Sequence, residues 1–398
     1  MSSTIKPFKA TYYNSALIKD YASVACPPYD VIDDKQFLAL KKKSPYNYSN
    51  IIIVKDNNYE KKADILNDWL NKQILIDDEK ESFYLYEQKF NVEGKTFKRY
   101  GILSLLKMDK QGIFPHEHTL TVPKEDRKKI ITATQANLSP IFVIVPKPLK
   151  IFSQIYNSYS RKNPFLKFKD GDGNINKIWK ISQPEQIAKI SKEIDKCPLV
   201  IADGHHRFEI SYDYFKNNQD KFKDLNYILA YITDCQKGLR ILPTHRVVDV
   251  LEQHSGIFKK LKEFFEIKEV KEAYLEKKLK NTPVFCLGIY REGKYYFLKL
   301  KKTALLSKIP NKLYRQLDTY VFHQLILPLF KTKDNIEYTH SIKGAKKLAG
   351  KNKTAFMLRA ASLENIFKIS SKGFRLPQKS TYFYPKVSSG IVIRRFKT

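Results

Sequence analysis

Residues 198–209, PLVIADGHHRFE, decide how the centre of this chain folds. The apolar start, residues 198–202, predicts a short buried strand, because a brief apolar run bounded by a turn signal is typical of one. Asp203 and Gly204 predict a tight turn, and the spacing of apolar residues over 207–215 predicts a helix that begins beside it. A strand, a glycine turn and a helix start together suit an anion, because the first amides of a helix lack partners within the helix.

Size and composition indicate a folded protein of two or three domains. The chain has 398 residues, of which 42% are hydrophobic and 13% aromatic. Its four cysteines form no CxxC pair, which argues against a zinc ribbon and favours a reducing compartment. The start lacks a signal-peptide pattern, and no apolar run approaches the roughly 18 residues that cross a bilayer. We therefore expect a soluble, cytoplasmic protein without a membrane partner.

The net charge of +31 raises the question of nucleic-acid binding. Only twelve of the 72 basic residues are Arg, and the Lys residues are scattered along the chain without forming a basic tail. This distribution favours a solvated lysine surface that attracts anionic nucleotides. Nucleic acid is a partner that the composition allows but does not favour.

The order of predicted elements indicates a mixed α/β (α+β) fold. Strands are predicted at IIIV (51–54), SPIFVIV (139–145) and YILAYITDC (227–235), with hairpins around the turns VEGK and REGK. Helices are predicted at 35–43, 65–70 and 317–329. Strands and helices do not alternate strictly, so a doubly wound sheet is not expected.

Five of the eight histidines fall in three short segments, PHEHT (His116, His118), DGHHR (His205, His206) and PTHR (His245). Each segment lies at a predicted strand end or loop, where catalytic groups concentrate. We expect the three segments to share one site. The alternative is that each histidine satisfies its local backbone in a purely structural role.

The PHEHT segment places a carboxylate, Glu117, between two imidazoles. Such a group can act as a general base or help to hold a divalent ion. The structural alternative is an N-cap, in which Thr119 or Thr121 begins the helix that runs through Arg127. The two histidines lie at i and i+2, whereas the zinc motif HExxH needs i and i+4, so zinc is not favoured.

Other motifs exclude several classes of protein. The chain contains no GxGxxG, GxxxxGK[ST] or GxSxG, so it lacks the signatures of Rossmann, P-loop and α/β-hydrolase folds. DGDGN (170–174) resembles a calcium loop, but its sixth and twelfth positions are Ile175 and Ile181, so a turn is predicted. If phosphate binds, the DGHHR turn is the best candidate.

Eight segments resemble, in order, a bacterial and archaeal family catalogued as domain of unknown function 1015. They are PFKATYYN, ACPPYDVI, SPYN, PHEHT, NLSPIF, IADGHHRFE, ILPTHR and KSTYFYPKVSSGIVI. The resemblance extends over essentially the whole chain, from near residue 6 to near residue 393.

The central segments also resemble the ParB/sulfiredoxin-like superfamily, especially its free serine kinases. This resemblance implies a nucleotide-site core at 111–220, flanked by α/β regions at 1–110 and 221–398. It implies that Glu117 is the general base and that Asp203 is a catalytic residue that binds either a metal ion, Mg²⁺, or the phosphate site. It further implies that the residues of the turn contact nucleotide phosphates, and these are Gly204, His205, His206 and Arg207. His205 is in addition expected to be a catalytic residue.

The sequence departs from two branches of that superfamily. His205 stands where sulfiredoxin has its nucleophilic cysteine, which argues against redox repair, and the turn lacks the Gly-Glu-Arg-Arg of the DNA-clamping ParB proteins. Glu117 and Asp203 are 86 residues apart, a separation longer than in compact kinases of the group. The stretch between Val145 and Ser191 is then either an inserted lid or a sign that the likeness is incomplete.

Together these observations predict an enzyme that uses ATP or ADP to phosphorylate a small hydroxylated metabolite, with free serine as one candidate. His245 and Arg246 are expected to complete the nucleotide pocket. The residues His116, Thr119, Arg127 and Asn137 are expected to contact the acceptor. The alternative is a non-catalytic nucleotide sensor, or a nucleic-acid-binding protein, that uses the same phosphate pocket.

Overall fold

A computed structural model describes residues 3–109, 112–117, 121–283, 285–301 and 303–397, with the backbone alone at 121–123, 303–304 and 334–335. The chain divides into two compact units. The first unit comprises Met1–Pro115, Thr119–Arg240 and Pro385–Thr398, and the second comprises His116–His118 and Ile241–Tyr384. The three regions inferred from the sequence stay a prediction about domain organisation.

The first unit begins with short elements and then forms a large sheet with its helices. Its elements in chain order are β1 (Ile5–Lys6), β2 (Thr11–Tyr13), α1 (Tyr21–Val24), α2 (Asp34–Lys43), α3 (Ser49–Ile52), α4 (Glu60–Asn71), β3 (Leu75–Asp77), β4 (Phe83–Val92), β5 (Lys95–Lys107), β6 (Ile113–Pro115), α5 (Thr121–Thr134), β7 (Ala136–Asn137), β8 (Ile141–Val145), α6 (Lys150–Tyr159), β9 (Leu166–Lys169), β10 (Ile175–Ile181), α7 (Pro184–Ile194), β11 (Leu199–Asp203), α8 (His205–Asn218) and β12 (Tyr227–Asp234).

Within the described residues, nine strands of the first unit form a mixed sheet. Its order is β6-β11-β8-β12-β5-β4-β10-β9, and β1 also pairs with β5. The pairs β6–β11 and β8–β12 are parallel, and the other pairs are antiparallel. This arrangement confirms the predicted mixed α/β (α+β) class and places the carboxyl end of β11 beside the start of β8.

A large hydrophobic cluster of the first unit lies on one face of this sheet. Alternate residues of β12, namely Ile228, Ala230 and Ile232, face it, because side chains of a strand point to opposite faces in turn. Helices α6 and α7 cover this face with apolar residues that include Phe152 and Ile190, which are both almost completely buried. Burial of these side chains supplies the main stabilisation of the sheet.

The stretch between Val145 and Ser191 is regular structure. It forms α6, β9, β10 and most of α7, and β10 pairs with β4 over residues 175–181 to extend the sheet. The suggestion of an inserted lid is therefore wrong, since these residues build the edge and the cover of the sheet. The DGDGN segment is the predicted turn between β9 and β10, in which Asp170 accepts hydrogen bonds from the Asp172 and Asn174 amides at 3.1 and 2.9 Å.

One predicted strand is a helix. Residues 51–54 were expected to be a strand, but Ile51 and Ile52 belong to α3 and are about fully buried. A short apolar run carries no period, so a buried strand and a buried helical turn have the same sequence pattern. By contrast, the helix predicted at 35–43, the helix at 65–70 and the VEGK hairpin are confirmed as α2, α4 and β4–β5.

The second unit is built around an antiparallel sheet. Its elements are β13 (Arg240–Leu242, of which Arg240 belongs to the first unit), β14 (His245–Val250), α9 (His254–Lys262), β15 (Phe265–Val270), α10 (Glu272–Asn281), β16 (Cys286–Arg291), β17 (Lys294–Leu300), α11 (Asp318–Val321), β18 (Thr332–Thr339), α12 (Ile342–Ala349), β19 (Thr354–Met357), α13 (Leu363–Ser370) and β20 (Tyr382–Tyr384). After it, β21 (Arg394–Arg395) returns to the first unit and pairs with β7.

In the described part of the second unit, six strands are ordered β15-β17-β16-β19-β14-β18. Both faces of this sheet are covered, because Leu287 and Ile289 of β16 pack with α9, whereas Cys286 and Tyr290 pack with α10 and α12. The helix predicted at 317–329 is divided into three parts. These are α11, a π-helical turn over Phe322–Ile326 and a 3₁₀ turn over Leu327–Leu329. Pro328 has no amide hydrogen and cannot continue a helix.

Among the helices of the described residues, none combines the length and the apolar character that crossing a bilayer requires.

Candidate functional site

The turn between β11 and α8 has the backbone that its glycine predicts. Gly204 has φ of 87°, in the left-handed region that favours glycine. A Cβ atom at this position would lie 2.9 Å from Cγ2 of Ile141 and 3.0 Å from Nη2 of Arg207. Helix α8 begins at His205, two residues before the predicted start at Arg207. The turn therefore requires glycine, and it places the first residues of α8 directly after the end of β11.

A buried cluster of charges occupies this turn. The Asp203 carboxylate accepts a hydrogen bond from Nη2 of Arg207 at 2.9 Å and a second, very short one from Nζ of Lys386. The three side chains are only 14% to 15% exposed. Two cationic side chains therefore contact one carboxylate at this turn. We call Asp203, Arg207 and Lys386 the charge triad.

The pKa of Asp203 reflects this surrounding charge. Burial alone would raise the pKa of the carboxyl, but the Lys386 ammonium and the Arg207 guanidinium outweigh burial and hold the pKa at about 2. His205, the first residue of α8 and 8% exposed, also acts to lower it. His206 follows on α8 and is partly exposed. Asp203 is therefore ionised at neutral pH and holds both cations in place.

Lys386 reaches the triad because its backbone is held from inside the sheet. Nε2 of Gln88 donates to the Lys386 carbonyl at 3.1 Å, and Nη2 of Arg99 donates to the Pro385 carbonyl at 2.6 Å. Arg99 is fully buried, and its guanidinium lies 4.5 Å from the ring centre of Phe142, the residue paired with Asp203 across the β11–β8 ladder. These contacts fix the C-terminal segment beside β11.

A small cavity adjoins the triad within the first unit. The residues that line it include Arg207 and two residues expected to contact the acceptor, Arg127 on α5 and Asn137 on β7. The Asn137 side-chain oxygen accepts hydrogen bonds from the Leu229 amide at 3.2 Å and from Nη1 of Arg394 at 3.1 Å. Asn137 therefore also links β7 to β12 and to the C-terminal segment. The structure thus brings together three predicted site residues that lie far apart in the sequence.

Glu117 lies in the second unit, where backbone groups fix its position. Its Oε1 accepts a short hydrogen bond from the Lys379 amide, and its Oε2 lies 3.8 Å from Nε2 of His116. His116 is fully buried, with Nε2 at 2.8 Å from Oγ1 of Thr381 and its carbonyl accepting from the Leu376 amide at 2.7 Å. His116 therefore holds the loop to the C-terminal segment of this unit.

PTHR joins PHEHT within the second unit. Arg246 is fully buried and donates to the carbonyl oxygens of Thr244 and Lys379. Burial lowers the pKa of its guanidinium to about 10, while Tyr338 and Glu117 act to raise it. Arg246 is charged at neutral pH, close enough to Glu117 for their charges to interact.

His245 is buried as a neutral group. Its Nδ1 accepts from the Leu358 amide at 3.2 Å, and only 2% of the residue is exposed. Burial, together with Arg246 and His340, lowers its pKa to about 3. His323, beside Arg246, is shifted in the same direction to a pKa of about 4. These two imidazoles are therefore neutral at physiological pH.

The His245 environment predicts acid sensitivity of the second unit. The unfolded chain takes up a proton at His245 near pH 6.5 and the folded chain only near pH 3, so stability from this group is lost as the pH falls through that window. We expect about 2 kcal/mol or more to be lost by pH 4.5. His245→Asn should flatten this dependence in urea titrations followed by hydrogen exchange of β16 and β19.

Val248→Ala is the matched control, because Val248 is 1% exposed on the same strand and does not titrate. It should lower stability at pH 7 and keep the wild-type pH dependence. An unchanged slope in the His245→Asn variant would show that burial of this imidazole does not cause the acid sensitivity.

The Asp203 carboxylate, which is the predicted metal ligand, is engaged by side chains of the protein. Both oxygens of Asp203 bind cationic side chains, and among the described residues no three His, Cys, Asp or Glu side chains are grouped to hold a metal. Mg²⁺ prefers carboxylates and phosphate oxygens in octahedral geometry. The role of Asp203 as a metal ligand stays a prediction.

The predicted site residues fall into two groups. Asp203, Gly204, His205, His206 and Arg207 belong to the first unit with Arg127 and Asn137, whereas His116, Glu117, His245 and Arg246 belong to the second. Thr119 lies outside the described residues. That all of them serve one site stays a prediction.

Sequence reasoning missed two residues near the triad. Lys386 belongs to KSTYFYPK, a segment noted without a role, and Tyr29 belongs to ACPPYDVI. A lysine next to a proline in a conspicuous aromatic segment was the available signal, but nothing local to residue 386 indicates that Asp203 is its partner.

The chain belongs to the family described as "Protein of unknown function (DUF1015)", whose model matches residues 5–320. This match confirms the resemblance inferred from the eight segments. No curated protein is similar enough in sequence to count as a match.

Solved structures give distant similarities. A mutant free serine kinase in complex with ADP is 13% identical, with a TM-score of 0.37 over 71% of this chain and 87% of that one. A free serine kinase in complex with AMP is 15% identical, with a TM-score of 0.36 over 71% and 86%. A conserved hypothetical protein from Pyrococcus furiosus is 15% identical, with a TM-score of 0.36 over 73% and 95%.

Proposed function

We propose that this protein binds a nucleotide through its phosphates at the β11–α8 turn and transfers a phosphoryl group to a small hydroxylated metabolite. The charge triad carries the proposal: two buried cationic side chains, Arg207 and Lys386, contact the Asp203 carboxylate at the start of a 14-residue helix. An anion there interacts with these two side chains and with the partial positive charge of the helix start.

The chemistry of phosphoryl transfer suits such a site. Transfer depends on positioning the phosphate and stabilising its charge, more than on covalent help from the protein. Arg207 offers a planar fork of donors, and Lys386 offers a point charge on a side chain already held near Asp203. Glu117, with its predicted role as general base, would accept the hydroxyl proton of the acceptor.

Arg207→Ala should weaken nucleotide binding about tenfold or more, because charge-assisted hydrogen bonds to an anion are worth about 1.5–3 kcal/mol. We expect ADP and ATP to bind the full-length protein in isothermal titration, with and without Mg²⁺. The exposed Arg161, also in the first unit, provides the control, and Arg161→Ala should bind as the wild type does.

Two results would overturn this prediction. One is that neither ADP nor ATP binds the wild type. The other is that Arg207→Ala and Arg161→Ala bind equally well. Because Arg207 also pairs with Asp203, circular dichroism of the Arg207→Ala variant must show a folded chain before its affinity is interpreted.

A nucleotide sensor is the second candidate. It is favoured by the engagement of both Asp203 carboxylate oxygens with side-chain cations of the protein itself. A sensor binds ADP or ATP and releases them unchanged in the presence of any acceptor, whereas the enzyme consumes one of them. A nucleic-acid-binding protein would instead show an affinity that falls steeply with salt.

A further inference from the structure

The cavity beside the charge triad lies entirely within the first unit, between α5, α8 and the start of β12. Its volume is about 50 Å³. Because one water needs about 10–15 Å³ by this measure, the cavity suits on the order of four waters, or one small organic molecule. One wall is aliphatic, formed by Ile130, Ile131, Ile210 and Ile228.

The lining of the cavity also includes polar and charged side chains, among them Arg127 and Tyr29. Arg127 is 8% exposed, and its guanidinium lies 3.9 Å from the ring centre of Tyr29, which also lines the cavity. The Arg127 guanidinium is held by Asp126 and by the Ile52 carbonyl at 3.1 Å. Burial raises the pKa of Tyr29, while Arg127 and Arg207 both act to lower it, so both charges reach its hydroxyl. Tyr29 is therefore a neutral hydrogen-bond donor at physiological pH.

Arg207 connects the cavity to the phosphate site. Its Nη2 bonds to Asp203 in the triad, while the same side chain lines the cavity. A molecule in the cavity would therefore lie next to a phosphate at the β11–α8 turn. That is where the acceptor of a phosphoryl group has to lie, since transfer requires the two reacting atoms within about 3–3.5 Å.

We infer that this cavity is the acceptor site and that it takes a short aliphatic hydroxy acid, whose carboxylate faces Arg127 and Tyr29 and whose carbon chain lies on the isoleucine wall. This inference rests on the proposed function. Arg and Tyr suit a carboxylate, because both donate hydrogen bonds and Arg adds charge. A polyol would place hydroxyl groups against isoleucines, and each buried hydroxyl left without a partner costs about 1–3 kcal/mol.

The test compares two probes that differ in one group. 3-Hydroxybutyrate carries a carboxylate where 1,3-butanediol carries an uncharged CH₂OH, on the same four-carbon skeleton. In isothermal titration of the full-length protein, we expect the acid to bind about tenfold more tightly than the diol. Arg127→Gln should remove most of this preference, whereas Arg127→Lys should keep part of it and Arg161→Gln all of it.

The outcomes separate this inference from the proposed function. If ADP binds but the acid binds no better than the diol, the inference fails and the phosphate site stands. A preference that survives Arg127→Gln would place the acid outside this cavity and would also overturn the inference. If ADP does not bind, the proposed function itself fails. The comparison of the two probes on the wild type does not depend on the folding of any variant.

Discussion

Asp203→Asn is expected to lower the free energy of unfolding of the first unit by about 3 kcal/mol or more. The substitution keeps the shape of the side chain but leaves the Arg207 and Lys386 cations buried without the carboxylate that balances them, and breaking such a pair costs about 3–5 kcal/mol. Both tryptophans of the chain, Trp69 and Trp179, are buried in the first unit. Their fluorescence in a urea titration therefore reports the unfolding of this unit.

Two controls make the Asp203→Asn result specific. Asp34→Asn removes an ion pair with Lys55 whose carboxylate is 84% exposed, and it should cost less than about 1 kcal/mol. Adding Lys386→Met to Asp203→Asn should recover part of the loss, because it removes one uncompensated cation. Equal costs for Asp203→Asn and Asp34→Asn would contradict the description of the triad as a buried, mutually dependent cluster.

The stability that Asp203 contributes should also depend on pH. The pKa of its carboxyl is held at about 2 in the folded chain, below its unfolded value near 3.9, so the contribution is complete above pH 4. It is lost as the pH falls toward 2. The difference between the wild type and Asp203→Asn should therefore narrow below pH 4.

Glu117→Gln is expected to reduce turnover by about 100- to 10,000-fold, the range typical for loss of a general base. The amide keeps an oxygen that can accept from the Lys379 amide, so the loop should keep its position. Because the proposed phosphate site is built from other residues, affinity for ADP should stay within about twofold of the wild type. Phosphorus NMR of reactions with ATP or ADP and L-serine or 3-hydroxybutyrate measures turnover.

Glu337→Gln is the matched control for Glu117→Gln. Glu337 is 40% exposed on β18 of the same unit, where it pairs with Lys353, and its substitution should leave turnover unchanged. Turnover that persists in the Glu117→Gln variant would remove Glu117 from the reaction. Loss of ADP affinity in that variant would instead make Glu117 a binding residue. If the wild type binds ADP and phosphorylates neither acceptor, the result would favour a nucleotide sensor over a phosphotransferase.

Local sequence patterns predicted most of the elements around the candidate site. The segment PLVIADGHHRFE became a buried strand, a left-handed glycine turn and a helix, because the apolar run, Gly204 and the helical spacing act over a few residues. The hairpin at VEGK and the helix at 35–43 were predicted for the same reason. Predictions failed where the pattern had no period, as at Ile51, or where Pro328 interrupts an apolar run.

The partners of the site residues were decided by the tertiary structure. Asp203 and Lys386 are 183 residues apart, and only the return of the C-terminal segment, held by Gln88 and Arg99, brings the lysine to the carboxylate. Sequence reasoning predicted that Asp203 would hold a metal or a phosphate. It could not predict the contact with Lys386, because the residues around Asp203 do not indicate which distant side chain pairs with its carboxylate.

The sequence by itself determined the mixed α/β class, the glycine turn at Gly204 and the family to which the chain belongs. Each of these depends on residues that are neighbours in the chain. The tertiary structure alone decided that Arg127, Asn137 and Arg207 line one cavity and that Glu117 and Arg246 lie in the same unit. Such groupings depend on how the sheets bring distant segments together, and neither charge nor periodicity within a segment encodes them.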